Sequence, residues 1–178
     1  MFAKVGQTAP DFTMSTTNNI ETLDHVVTLN DYQGKWLILF FYPLDFTFVC
    51  PTEIKGFNSR LDEFQSLGAE VLGVSVDSVY SHRAWIKASR AEGGLGELSY
   101  PLASDITKQV ARDYGVLIEE KGISLRGLFI IDPESVIRYQ VVSDLNVGRS
   151  VDEIMRVLQA LQTGGLCPID WHAGERTL

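Results

Sequence analysis

Two hydrophobic periods alternate along the chain, one typical of strands and the other typical of helices. A continuous apolar run from Trp36 to Tyr42 predicts a strand that is covered on both faces. From Pro51 to Leu67 the apolar positions recur every three or four residues, which predicts one amphipathic helix; they are Ile54, Phe57, Leu61, Phe64 and Leu67. Gly68 ends that pattern, and the apolar segment from Ala69 to Val76 predicts the next strand. A β-α-β unit is the simplest account of this order.

The rest of the chain continues the alternation. Strands are predicted over Val26–Leu29, Leu125–Ile131 and Val136–Ser143, and helices over Tyr80–Arg90, Thr107–Tyr114 and Val151–Gln162. Residues 132–135 form a turn sequence short enough for an antiparallel hairpin. Ser150 and Glu153 are predicted to form a capping box at the start of the last helix. This order predicts an α/β protein with a mixed central sheet flanked by helices, and it suits a thioredoxin-like fold with an N-terminal extension.

Composition and charge narrow the classes of function. With 178 residues, 45% of them hydrophobic, one domain with a substantial core is expected over residues 1–163, followed by a mobile C-terminal tail at 164–178. The net charge of −8, without a run of Lys or Arg, argues against nucleic acid as a partner. No apolar stretch approaches membrane-spanning length, and residues 1–7 lack the layout of a signal peptide. A soluble cytoplasmic protein without a membrane partner is therefore expected.

The cysteine at the predicted strand-to-helix junction is the leading candidate for chemistry. Pro51 suits the first helical position, so Cys50 is expected at the N-cap, beside unpaired backbone N–H groups and the positive end of the helix dipole. That environment favours the thiolate, the nucleophilic form of cysteine. The competing interpretation is a small buried hydrophobe, the common fate of a free cysteine. A metal site is not expected, because only Cys167 and His172 lie close in sequence and they fall short of a tetrahedral ligand set.

Several short motifs, in order along nearly the whole chain, resemble those of one family. The run Pro43-x-x-x-Thr47-x-x-Cys50, extended as Phe-Val-Cys-Pro-Thr-Glu, is similar to the active-site signature of the typical two-cysteine peroxiredoxins, which include alkyl hydroperoxide reductase C subunits and thioredoxin peroxidases. Further similar segments are 9–12, 93–96, 126–132, 147–150 and 166–171. The signature together with a second cysteine before a proline is a specific combination. The resemblance implies a thioredoxin-like fold and a cofactor-free reduction of hydrogen peroxide and small organic hydroperoxides.

The resemblance also implies a role for each residue of the signature. Cys50 would attack the peroxide, Thr47 would hydrogen-bond to it, Arg126 would stabilise both the thiolate and the developing oxyanion, and Pro43 would shield the pocket from water. Ionisation alone gains only a few-fold, because a more acidic thiol is a weaker nucleophile, so alignment and charge stabilisation must supply most of the rate. A simpler structural interpretation remains open for three of these residues. Thr47 could be a β-branched residue between two phenylalanines, Arg126 a surface cation, and Pro43 a strand terminator.

A second group of residues is implied to support the reaction. Glu53 and Arg149 would form an ion pair that holds Arg126, although Glu53 could equally be an ordinary acid in a first helical turn. Cys167 of a second subunit would capture the sulfenic acid of Cys50 as an intersubunit disulfide, which a thioredoxin or a thioredoxin-like flavoprotein would reduce. The resemblance makes a homodimer expected and a ring of five dimers plausible. The alternative for Cys167 is an incidental tail cysteine.

Two rival functions stay open at this point. A peroxide-signalling protein or holdase chaperone could use the same fold and the same cysteine. A general disulfide oxidoreductase is disfavoured, because the chain has no Cys-x-x-Cys.

Gly93-Gly94-Leu95-Gly96 resembles a loop of the peroxiredoxins that are prone to overoxidation, but no Tyr-Phe pair follows Cys167 before Leu178. Resistance to overoxidation is therefore expected.

Overall fold

A seven-stranded mixed sheet forms the centre of the protein, which a computed structural model describes over residues 2–178. The strands of the sheet are β1 (Thr13–Thr16), β2 (Val26–Thr28), β3 (Trp36–Phe41), β4 (Ala69–Ser75), β5 (Leu102–Ser104), β8 (Arg126–Ile131) and β9 (Ile137–Ser143), and a separate hairpin is made by β6 (Leu117–Ile118) and β7 (Ile123–Ser124). The helices are α1 (Cys50–Ser59), α2 (Leu61–Ser66), α3 (Val79–Lys87), α4 (Gln109–Asp113) and α5 (Val151–Thr163).

The sheet combines both strand directions, as predicted. Its order is β2-β1-β5-β4-β3-β8-β9. Strands β3, β4 and β5 run parallel, whereas β8 pairs antiparallel with both β3 and β9. The predicted mixed α/β architecture is therefore confirmed. The N-terminal extension adds β1 and β2 to the sheet, because β1 pairs antiparallel with β5.

Strand β3 is covered on both faces because its side chains alternate between two apolar clusters. Ile38 and Phe40 belong to a cluster with residues of α1, α2, α3 and α5. Leu37, Leu39 and Phe41 belong to a second cluster with residues of the N-terminal segment and α4. The continuous apolar run thus fills both layers, as expected of a central strand.

Three local predictions need correction. The helix expected over 51–67 is two helices, because Arg60 leaves helical dihedrals (φ −118°, ψ 15°) and both ends α1 and precedes α2. The helix also begins one residue early: Val49 is the N-cap, and Cys50 is the first helical residue. The capping box is half formed, because Ser150 Oγ accepts from the Glu153 N–H but the Glu153 carboxylate binds Arg156.

Candidate active site

The pairing of β3 with β8 brings the start of β8 to the end of β3. Phe40 lies opposite Leu128 in this antiparallel ladder, so Arg126 comes level with Tyr42, where the chain leaves β3 for the loop 43–49. Helix α1 begins directly after that loop. A side chain from far along the sequence therefore reaches the carboxyl end of a parallel strand, the usual edge for a site in such sheets.

The Cys50 sulfur lies against a guanidinium. Arg126 Nη1 donates to Cys50 Sγ at 3.4 Å, and the same nitrogen donates to Glu53 Oε2 at 2.7 Å. Arg126 Nε donates to the carbonyl of Leu145 at 2.8 Å, which fixes the plane of the guanidinium. Cys50 has no exposed surface, and the side chain of Arg126 is 3% exposed. The sulfur is buried, but it is not in a purely apolar environment.

Glu53 links two arginines in the same buried cluster. Its Oε1 accepts from the backbone N–H and Nε of Arg149 at 2.7 and 2.8 Å, and its Oε2 accepts from Arg149 Nη2 at 3.0 Å. Burial raises the pKa of the Glu53 carboxyl, but the hydrogen bonds and charge of Arg149, with the charge of Arg126, outweigh it. The pKa of Glu53 therefore lies below its ordinary 4.5, and the carboxylate is ionised at neutral pH.

Arg149 is itself held in a single orientation. Its Nη1 donates to the carbonyls of Phe41 and Gly127, which belong to neighbouring strands, and its guanidinium lies 5.4 Å from the Phe40 ring centroid. Hydrogen bonds of this kind leave the planar guanidinium little freedom to rotate. Arg149 thus ties Glu53 to the end of the sheet.

The buried charged side chains beside Cys50 sum to a positive charge. Two guanidinium groups and one carboxylate, each at most 3% exposed, carry a net charge of +1. A thiolate at Cys50 brings that total to zero, whereas a thiol leaves a buried positive charge without compensation. The arrangement can therefore hold a nucleophilic sulfur and stabilise negative charge that develops beside it.

The remaining predicted residues of the signature lie on the loop between β3 and α1. Pro43 is buried at the start of that loop. Thr47 is half-buried, and its hydroxyl donates to the carbonyl of Leu44 at 3.0 Å. Thr47 and Pro51 line an open cleft of about 340 Å³. Cys50 does not line the cleft, and it has no exposed surface.

Cys167 lies in the tail, against helix α5. Its sulfur is 3.4 Å from Thr163 Oγ1 and 3.6 Å from the carbonyl oxygen of Ala160. Both cysteines are free in this structure. The structure therefore brings together Cys50, Glu53, Arg126 and Arg149, and places Cys167 apart from them in another environment.

Some groups of the site have no sequence signal. The carbonyls of Leu145, Phe41 and Gly127 orient the two arginines, and backbone atoms carry no residue-specific pattern.

Within residues 2–178 no three His, Cys, Asp or Glu side chains are grouped so that they could hold a metal ion. Among the helices of the same range, none combines the length and the apolar run that crossing a bilayer requires.

Comparisons with known proteins agree with the geometry. Residues 5–140 match the model of the AhpC/TSA family. A candidate peroxiredoxin of the rubredoxin operon in Clostridium pasteurianum is 59% identical over 174 residues, with 98% of each chain covered. The 2-Cys peroxiredoxin BAS1 of Spinacia oleracea is 55% identical over 98% of this chain and 67% of its own length. The crystal structure of reduced Plasmodium vivax 2-Cys peroxiredoxin superposes with a TM-score of 0.93 at 42% identity, covering 97% of this chain and 91% of that one.

Proposed function

The chain belongs to the AhpC/TSA family and is a thiol-dependent peroxidase of the peroxiredoxin type, and from this premise we propose that Cys50 is the sulfur that the hydroperoxide oxidises. The observation that carries this proposal is the 3.4 Å contact between Cys50 Sγ and Arg126 Nη1 inside a buried cluster whose charges sum to zero only with a thiolate. A structural cysteine has no need of a buried guanidinium. The substrates are hydrogen peroxide and small organic hydroperoxides.

The chemical step is a two-electron transfer from sulfur to peroxide. The Cys50 thiolate attacks the terminal oxygen, a sulfur–oxygen bond forms and the O–O bond breaks. The departing oxygen leaves as water or an alcohol after it takes up a proton, and the sulfur becomes a sulfenic acid. Arg126, which already donates to the sulfur, stabilises the negative charge that moves onto the oxygens.

Two loop residues complete the site in this proposal. Thr47 lines the cleft through which the peroxide approaches, and its hydroxyl accepts from and donates to the peroxide oxygens, so that the O–O bond points along the line of attack. Pro43, buried where the loop leaves β3, keeps water from the sulfur. Glu53 and Arg149 hold Arg126 in place through the hydrogen bonds described above.

Cys167 is proposed to resolve the sulfenic acid. The domain at 1–163 carries Cys50, and the tail at 164–178 carries the thiol of Cys167 to the site of a second subunit. There it attacks the Cys50 sulfur, water leaves, and a disulfide forms. A disulfide requires Cα atoms within about 7 Å. Because Cys50 is fully buried in the first turn of α1, that turn and the tail must both open locally before the bond can form.

The partners follow from the same cycle. A dithiol donor of the thioredoxin type, free or as part of a flavoprotein, supplies two electrons and reopens the disulfide. A homodimer is the smallest unit that can form it, and a ring of five dimers is the larger assembly proposed. The exposed apolar side chains of Phe46 and Phe48, on the loop before Cys50, and of Tyr80, on α3, offer surface for such contacts. A reducing cytoplasm is the compartment in which both cysteines would start as thiols.

Paired variants at Thr47 and Arg126 test the site. In a Cys167→Ser background, Thr47→Ser keeps the hydroxyl and is expected to retain most of the rate of peroxide consumption in stopped flow. Thr47→Val keeps the shape without the hydroxyl and is expected to lose about a hundredfold or more, as is typical when one oxyanion donor is removed. Arg126→Gln should lose at least as much. Equal rates for Thr47→Val and Thr47→Ser would remove Thr47 from the mechanism.

Electrophoresis without reductant tests the disulfide. After one addition of peroxide, the wild type should run as a covalent dimer. Cys50→Ser and Cys167→Ser should each remain monomeric, and an equimolar mixture of the two variants should form dimers if subunits exchange. A covalent dimer in Cys167→Ser alone would assign resolution to a Cys50–Cys50 bond and contradict the role of Cys167.

A further inference from the structure

A buried hydrogen bond joins the loop before Cys50 to helix α3. His82 of α3 has no exposed surface, and its Nδ1 lies 2.8 Å from Asp45 Oδ2 while its Nε2 lies 3.1 Å from the Ala103 carbonyl oxygen. The Ala103 carbonyl oxygen accepts from the Nε2–H, and the contact at Nδ1 is a hydrogen bond between the ring and the Asp45 carboxyl group. Both ring nitrogens therefore have partners, which fixes the orientation of the ring.

Asp45 is fixed by further contacts around this pair. Its Oδ1 accepts from the Tyr42 hydroxyl at 2.8 Å, its Oδ2 accepts from Ser81 Oγ at 2.7 Å, and its backbone N–H donates to Asp77 Oδ2 at 2.9 Å. Burial, followed by the charge of Asp45, raises the pKa of Tyr42 well above its usual 10, so the phenol remains a donor. Groups from the residue after β3, from the segment before α3 and from α3 itself therefore hold one loop residue.

The next residue of the loop is strained. Phe46 has φ 54°, in the left-handed region that aromatic residues rarely occupy. Its ring packs against Trp85 of α3 at a centroid distance of 5.8 Å. Such a conformation is unfavourable and persists only where the surroundings enforce it. Thr47, which follows directly, takes its position from this strained residue.

We propose that His82 is a positioning residue, which through its buried hydrogen bond with Asp45 holds the loop 43–49 in the conformation that presents Thr47 to the peroxide. His82 is outside the signature and touches neither sulfur nor substrate. The inference rests on the proposed roles of Cys50 and Cys167. It goes beyond them because it makes a residue of α3 control the relative rates of the two halves of the cycle, which are the oxidation of Cys50 and the formation of the disulfide.

That balance arises because the two halves require opposite states of the loop. Reaction with peroxide needs the strained loop and the first turn of α1 to be ordered around the sulfur. Formation of the disulfide needs the same segment to open. An interaction that stabilises the ordered loop therefore speeds the first step and slows the second, and its loss must shift the two rates in opposite directions.

Two rate measurements on the full chain test the proposal. The rate constant for oxidation of Cys50 by hydrogen peroxide is measured in a Cys167→Ser background, and the rate constant for disulfide formation is measured with Cys167 present. His82→Gln removes the imidazole ring, and Ser81→Ala removes one hydrogen bond to Asp45 at smaller risk to folding. His25→Gln, which replaces an exposed histidine, is the matched control. All rates are taken at a temperature where circular dichroism shows each variant folded.

The expected result is a divergence of the two rates. His82→Gln should oxidise about ten to a hundred times more slowly than its parent, the range for a small misplacement of catalytic groups, and should form the disulfide severalfold faster. Ser81→Ala should shift both rates in the same directions by less, and His25→Gln should shift neither. Asp45→Asn should resemble His82→Gln, and combining the two should add little.

Three outcomes separate the possible failures. Unchanged oxidation and disulfide rates in His82→Gln would overturn the positioning role, as would a fall in both rates together. If His82→Gln does not fold, unchanged rates in Ser81→Ala overturn it. If the Cys167→Ser parent does not consume peroxide at all, both the proposed function and the positioning role fail. This result differs from a failure of the positioning role alone, because the parent retains His82.

Discussion

Replacement of Glu53 by glutamine should both destabilise the protein and disable its site. The carboxylate accepts three hydrogen bonds from Arg149 and one from Arg126, and its side chain is 2% exposed. Glutamine has the same shape, but it replaces one acceptor oxygen with an NH₂ group that faces guanidinium donors. Both arginines then lose the negative charge that compensates them.

The size of the effect follows from the burial of the cluster. Removing one partner of a buried ion pair costs about 3–5 kcal/mol, because the other charge stays buried without a partner. With one acceptor oxygen retained, we expect a loss of about 3 kcal/mol in the free energy of unfolding. For a chain of this size that corresponds to a fall of roughly 6–12 °C in Tm.

The assay is thermal unfolding of Glu53→Gln and wild type across pH. Because the folded pKa of Glu53 lies below 4.5, its contribution to stability is fully present above that pH and is lost as pH falls through the folded pKa. The difference in Tm between the two proteins should therefore be largest near neutral pH and shrink in acid. Glu63→Gln is the control, because Glu63 pairs with Arg60 at the surface, where solvent screens the interaction.

The same variant also tests how Arg126 is held. Glutamine removes the charged acceptor that lies 2.7 Å from Arg126 Nη1, the nitrogen that also donates to Cys50 Sγ. The rate of peroxide consumption should fall, because Arg126 has lost this anchor. A Tm within 2 °C of wild type at neutral pH, roughly the effect of 1 kcal/mol or less, together with an unchanged rate, would refute the reasoning.

Two further variants test packing and capping. Gly94→Ala would place a Cβ 1.9 Å from the Ala88 carbonyl oxygen, so the loop must shift; we expect a loss of about 1–3 kcal/mol, measured by urea unfolding. Ser150→Ala removes the acceptor for the Glu153 N–H at 3.2 Å and should cost about 1 kcal/mol, or roughly 2–4 °C in Tm. An unchanged midpoint for either variant would contradict the local geometry described here.

Long periodic segments made most of the fold predictable. The strand predicted to end at Tyr42 and the helix after Cys50 were expected within a residue of their observed starts. A strand buried on both faces gives a continuous apolar run, whereas a helix buried on one face gives apolar residues every three or four positions. The break at Arg60 escaped prediction, since the apolar spacing continues across it. The short strands β1 and β5 also escaped, because four or fewer residues contain too little of a period to detect.

The candidate site was predictable only where the residues form a motif. Cys50, Thr47 and Pro43 lie together in the sequence, and Arg126 was found through a resemblance rather than a pattern. What could not be predicted is how the pairing of β3 and β8 places that arginine at the sulfur. The role of His82 gave no signal, because a single histidine in a helical pattern looks the same whether it is exposed or buried against a carboxyl group.

The most direct test of the account compares single-turnover consumption of hydrogen peroxide by Cys167→Ser and by the double variant Cys50→Ser/Cys167→Ser. A buried thiolate beside Arg126 should give a fast loss of one equivalent of peroxide per subunit in the first protein, with one sulfenic acid at Cys50 detected by mass spectrometry after trapping. The second protein should consume none. Peroxide loss of equal rate and amount in both proteins would show that Cys50 is not the reacting sulfur.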